Sequence, residues 1–116
     1  MSEKPVGPYT PIVRAGEWLV VSGQVGLGEG GLADGLAAQV TQAMANLRRL
    51  LEGEGASLDD VVKTTVFLVD MDDYAAMNEA YTAAFGDHRP ARSAVAVTAL
   101  PIGALVEVEA WARVGE

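Results

Sequence analysis

No cysteine occurs anywhere in the 116 residues. Disulfides, thiolate metal centres, iron–sulfur clusters and thiol nucleophiles are excluded together. Histidine is almost as scarce, with His88 standing alone. A zinc site built from several imidazoles, or a Ser-His-Asp triad with a histidine to spare, is therefore not expected. Basic residues are also few: eight against sixteen acids, a net charge of −8. Lys4, Arg14, Arg48, Arg49, Lys63, Arg89, Arg92 and Arg113 are scattered along the chain. A phosphate backbone is gripped mainly by clustered Lys and Arg, so neither nucleic acid nor an anionic membrane surface is an expected partner. No run approaches the roughly 18 apolar residues of a membrane span. The opening Met-Ser-Glu-Lys-Pro lacks the apolar stretch of a signal peptide, which makes cytoplasm the expected location.

Half of the residues are hydrophobic. That composition and length predict one folded domain over 1–116, small enough that burial between subunits would add usefully to its stability. Tyr9 to Ala15 reads as a strand, and Gly16-Glu17 as a tight turn into a second strand from Trp18 to Ser22. Gly23, Gly26, Gly28, Gly30 and Gly31 mark irregular backbone but lack the spacing of a phosphate loop. Leu36, Val40, Ala43, Met44, Leu47, Leu50 and Leu51 then share one helical face. Asp34 is the expected N-cap, and Gly53 or Gly55 the left-handed stop. Ser57 to Asp60 reads as a loop and Val61 to Val69 as a central strand, apolar on both sides apart from Lys63, Thr64 and Thr65. Asp70 or Asp72 can cap a second helix carrying Tyr74, Met77, Tyr81 and Phe85, which Gly86 ends. Two strands follow, near Ser93 to Ala99 and Leu105 to Val114. The order β-β-α-β-α-β-β predicts an α+β fold, one sheet carrying both helices on one face.

The last strand is the informative one, because alternate residues of a strand point to opposite faces. Val106, Val108, Ala110 and Ala112 suit contact with the helices. Leu105, Glu107, Glu109, Trp111 and Arg113 share the other face. A solvated face has no need of Leu105 and Trp111, and a dry one does not tolerate two unpaired carboxylates. This mixture predicts a face packed against further copies of the chain, with Glu107 and Glu109 in or beside the contact. Partial burial there would make a carboxylate a usable acid or base. The alternative is a structural pairing, for example with Arg113, and both remain open. Arg92 follows Pro90-Ala91 at the start of a strand, where its guanidinium could hold a substrate carboxylate by two parallel hydrogen bonds. As a single residue it could equally be a surface arginine.

Longer segments bear on that choice. Gly7-Pro8-Tyr9, then Val21-Ser22-Gly23-Gln24, resemble the opening of the reactive intermediate deaminase (RidA) family, also labelled the endoribonuclease L-PSP family. Gly55 to Leu68 resembles it closely, as do Asn78, Tyr81 and Phe85, then Pro90-Ala91-Arg92-Ser93. Leu100-Pro101 and Gly103 to Ala110 continue the match, which runs from about Gly7 to Ala112.

The resemblance implies a chorismate-mutase-like fold assembled as a homotrimer with clefts between subunits. It also implies hydrolysis of 2-aminoacrylate and related imines to 2-keto acids and ammonia, without cofactor or metal. By similarity, Arg92 would bind the substrate carboxylate and Glu107 would position or activate the attacking water. Tyr9, Ser22 and Gly23 would line the pocket, with Asn78 close by. Ala94 stands where many members carry Cys, leaving its backbone but no thiol. The connection from the second helix to Pro90 is shorter than in many relatives, which would reshape the cleft mouth. An imine is already electrophilic, so a sparse site that orients substrate and water and manages a proton suffices. His88 reads as a solvated loop residue. Two other functions compete: a non-catalytic binder of small carboxylates, and a ribonuclease or translation inhibitor. The charge balance speaks against the last.

Overall fold

A computed structural model describes residues 7–115. The outermost residues of the expected 1–116 domain, Lys4 among them, lie outside that range. The first strand starts later than expected: β1 is Ile12–Ala15, and Tyr9 belongs to the segment before it. The second runs further, since β2 spans Trp18–Val25. The glycine-rich stretch is less irregular than it reads, because Leu27–Gly28 (β3) and Gly31–Leu32 (β4) pair as a small antiparallel ribbon. The β-β-α-β-α-β-β order therefore gains a hairpin before the first helix, and a two-stranded sheet accompanies the main one.

Helix α1 covers Leu36–Gly53 and buries Val40, Ala43, Met44, Leu47, Leu50 and Leu51 as the spacing predicts. Asp34 does not cap it. Gly35 occupies the N-cap with φ 94, and no side chain caps the end. Gln39, one turn inside, ties the helix start down instead. It is 3% exposed, donates Nε2 to Ala33 O at 3.0 Å and accepts Leu105 N at 2.8 Å. Asn46, also buried, donates Nδ2 to Val25 O and Leu27 O. The helical face is thus oily with two polar clamps, each satisfied, which is the condition for burying an amide. The helix runs through Gly53, and Gly55 takes the left-handed φ of 82 after it.

Leu58–Asp60 form a 3-10 turn with a reciprocal Ser57–Asp60 capping box, where a plain loop was expected. Strand β5 follows as Val61–Leu68. Asp70 does cap, but it caps the 3-10 turn Met71–Asp73, accepting from Asp72 N at 2.9 Å. Helix α2 (Tyr74–Phe85) grows out of that turn and ends at Gly86, φ 69. Strands β6 (Ala91–Ala96) and β7 (Val106–Arg113) complete the chain.

The sheet order is β1-β2-β7-β5-β6, antiparallel throughout except for β5 and β6, which run parallel across α2. The sheet is mixed, and β5 is interior as its two-sided apolar character predicts. Both helices lie on one face. Val66, Leu68, Val106, Val108, Ala110 and Ala112 join α1 and α2 side chains in one core cluster, each at most 1% exposed. Thr64, fully buried on that face, is satisfied by the Tyr81 hydroxyl at 2.7 Å. No helix of the described residues is long and apolar enough to cross a membrane.

Candidate active site

The register between β2 and β7 slips once. Val21 faces Ala110 and Gln24 faces Val108, so Ser22 and Gly23 together stand against Glu109. Such a bulge bends the strand and re-aims its side chains. Its glycine leaves room for a side chain: a Cβ on Gly23 would lie 2.5 Å from Glu107 Oε2, so the carboxylate would have to shift. The carboxylate occupies the room that Gly23 leaves empty. Ser22 fastens the segment before β1, donating Oγ to Thr10 O at 2.7 Å and its backbone N to Pro11 O at 2.8 Å. Tyr9, 42% exposed, is thereby held over the same region. The result is a cavity of about 580 Å³ whose lining includes Tyr9, Ser22, Gly23, Phe67, Glu107 and Glu109.

Among the described residues, no basic side chain lines that cavity. Burial pushes the Glu107 carboxyl above its ordinary value, and the neighbouring Glu109 charge pushes it further. The structural alternative of an Arg113 pairing does not hold, because that guanidinium binds Glu17 Oε1 at 2.7 Å. Glu107 is therefore a carboxylate with enhanced proton affinity beside apolar walls, suited to taking a proton from water and returning it.

Arg92 lies elsewhere. In β6 it faces Thr64 of β5, which faces Ala110 of β7, all on the helix side of the sheet. Its guanidinium donates to the Tyr74 hydroxyl at 3.1 Å and contacts Met77 Sδ at 3.8 Å. It also stands 4.9 Å from the Tyr81 ring centroid. Aromatic and thioether contacts fix its position without neutralising its charge. Ala94, two residues on, shares this face and packs on the core edge. Asn78 is one helical turn beyond Tyr74, and its Oδ1 is buried with no hydrogen-bond partner among the described residues. An orphaned acceptor of this kind costs about 1–3 kcal/mol until a donor reaches it.

The sequence-predicted residues therefore fall into two groups. Tyr9, Ser22, Gly23 and Glu107 share one cavity on the open face. Arg92, Asn78 and Ala94 belong to the β6–α2 edge on the helix side, and the chain by itself does not bring the two groups together. His88 is not the solvated loop residue expected. It is half-buried, its Nε2 lies 2.7 Å from Val61 O, and its ring sits edge-on to Phe85. Sequence reasoning missed Phe67 and Pro101 as lining residues and Tyr74 as the partner of Arg92. Phe67 becomes visible only once register places it opposite Glu107. Tyr74 had a signal, being three residues before Met77 and seven before Tyr81 on the stripe assigned to the core.

A family model described as Endoribonuclease L-PSP matches residues 1–114. A RutC family protein of Pyrococcus horikoshii is 44% identical over 112 residues, covering 94% of this chain and 89% of that one. The mouse 2-iminobutanoate/2-iminopropanoate deaminase is 41% identical over 113 residues, covering 95% of this chain and 84% of the mouse protein. Among solved structures, RidA from an Antarctic Psychrobacter superposes with a TM-score of 0.92 at 39% identity, covering 96% of this chain and 92% of that one.

Proposed function

The chain belongs to the endoribonuclease L-PSP family, whose members include proteins named RidA, and from that premise we propose that it is a hydrolytic deaminase of reactive enamines and imines. The substrates are carboxylate-bearing small molecules of the 2-aminoacrylate type, and the products are 2-keto acids and ammonia. The working form is a cytoplasmic homotrimer in which Arg92 of one copy faces Glu107 of the next across a cleft. One observation carries this reading: Arg92 and Glu107 lie on opposite faces of the sheet, so that a cleft containing both needs a second copy. Among the described residues Asn78 Oδ1 has no hydrogen-bond partner and the cavity around Glu107 has no basic lining side chain, which supports it further.

In this mechanism the Arg92 guanidinium binds the substrate carboxylate and sets the C=N carbon over the cavity. An enamine first takes a proton at its terminal carbon to become the imine. Glu107 accepts a proton from water as the water oxygen bonds to the imine carbon. It returns that proton to nitrogen, then takes up the hydroxyl proton as the C–N bond breaks and C=O forms, and passes it to the departing ammonia. Nitrogen, oxygen and protons balance, and no redox partner is required.

Coupling the protein to a threonine dehydratase and following 2-keto-acid release tests this. Catalysis above the spontaneous rate is expected. Glu107→Gln should lower kcat about 100-fold or more, the ordinary worth of a positioned acid–base group. Arg92→Ala should reduce kcat/KM about 10- to 100-fold through loss of charge-assisted hydrogen bonds. No acceleration, or full activity in Arg92→Ala, would defeat the assignment. Calorimetric binding of a 2-keto acid without turnover would favour the carboxylate-binder reading instead.

A further inference from the structure

Glu107 does not line its cavity alone. Glu109 follows two residues later on the same face of β7 and lines the same space. From β2 this pair meets Ser22 and Gly23, and from the preceding segment Tyr9. From β5 it meets Thr65, opposite Glu109, and Phe67, opposite Glu107. Beyond those lie Ser93 and Val95 of β6. Among the described residues, the nearest basic group on this face is Lys63, one cross-strand pair further along beside Trp111, and Arg113 is bound to Glu17. Two carboxylates thus share an apolar-walled space whose described lining holds no cation.

We propose that Glu109 is a positioning residue for the reaction, its charge on the same face of β7 crowding the Glu107 carboxylate that receives the water's proton. This rests on the deaminase reading of the cavity. A second negative charge lining the same cavity disfavours ionisation of Glu107, and the penalty grows as water is excluded. Both burial and the Glu109 charge act on Glu107 in that direction. A carboxylate that holds protons more tightly is also a stronger base in its ionised form, which suits removal of a proton from water. The acidic pair also gives the cleft a polarity: a substrate with an anionic carboxylate at Arg92 would turn its protonated nitrogen toward the acids.

The test uses the intact protein and Glu109→Gln, read by carbon-13 NMR titration of the Glu107 carboxyl and by the pH–rate profile. Glu107 is expected to titrate at lower pH in the variant, and the profile limb belonging to it should move the same way. KM on the plateau should change less than about twofold. Glu109→Asp, which keeps the charge, should restore the wild-type limb. An unmoved Glu107 titration in Glu109→Gln overturns the proposal. If the coupling is present while imine hydrolysis is absent in the wild type, the deaminase reading falls and the paired acids stand.

Discussion

Two faces of one strand differ more than any two elements of this molecule. On the helix side of β7, Val106, Val108, Ala110 and Ala112 have no exposed surface. On the other side the same strand presents Glu107, Glu109, Trp111 at 46% exposure, and Arg113. Val13 at 47% and Val95 at 42% extend that open face to both sheet edges. The Trp18 and Trp111 rings meet there edge-to-face, centroids 5.9 Å apart. The hydrophobic effect has sealed the first face with α1 and α2, and the chain folds on that basis. The second face is apolar enough to be covered and charged enough to do chemistry.

Removing volume from the sealed face should break the fold and spare the site. Leu47→Ala, at a position with no exposure, is expected to cost about 2–5 kcal/mol in urea unfolding. Activity per folded molecule should be unchanged. Gly23→Ala reverses the pattern, because its added methyl meets the Glu107 carboxylate. A stability loss of about 1–3 kcal/mol is expected from the overpacking, with a larger relative loss of kcat than of stability. Equal activity in Gly23→Ala would mean that the bulge does not place Glu107.

The smallest effect is a pH signature. Glu107 has a raised proton affinity in the folded chain. Its contribution to stability is therefore complete at low pH and is lost as pH rises through its folded value. Glu107→Gln removes that dependence. The variant's Tm should exceed the wild type's near neutrality, and the gap should close below about pH 4, the ordinary carboxylate range. A constant gap across that window would place the ionisation cost elsewhere.

Much of the sealed face was legible, and for a physical reason: helical and strand periodicities report which side of an element is dry. They located the α1 stripe, the inward residues of β7 and the interior place of β5. Local capping was less legible. Asp34 has the right chemistry for an N-cap, yet Gln39 holds the helix start through partners 6 and 66 residues away. The glycine stretch after Ser22 concealed a hairpin because pairing, not composition, decides it. In the site, side-chain alternation identified Glu107 as an open-face acid, but its neighbours depend on register and a bulge. Alternation in β7 also says nothing about the face to which Arg92 in β6 belongs. Only the Thr64–Ala110 pairing places Arg92 opposite in facing to Glu107.

That separation leads to the most direct measurement: co-assemble Arg92→Ala and Glu107→Gln chains, each strongly impaired alone, and assay imine hydrolysis by the mixture. If each site takes its arginine from one copy and its acid from another, random mixing at equal ratio regenerates intact sites at about a quarter of their wild-type number. Activity should recover to about that fraction. A mixture that stays inactive although the chains demonstrably co-assemble would contradict the shared site and the deaminase mechanism built on it.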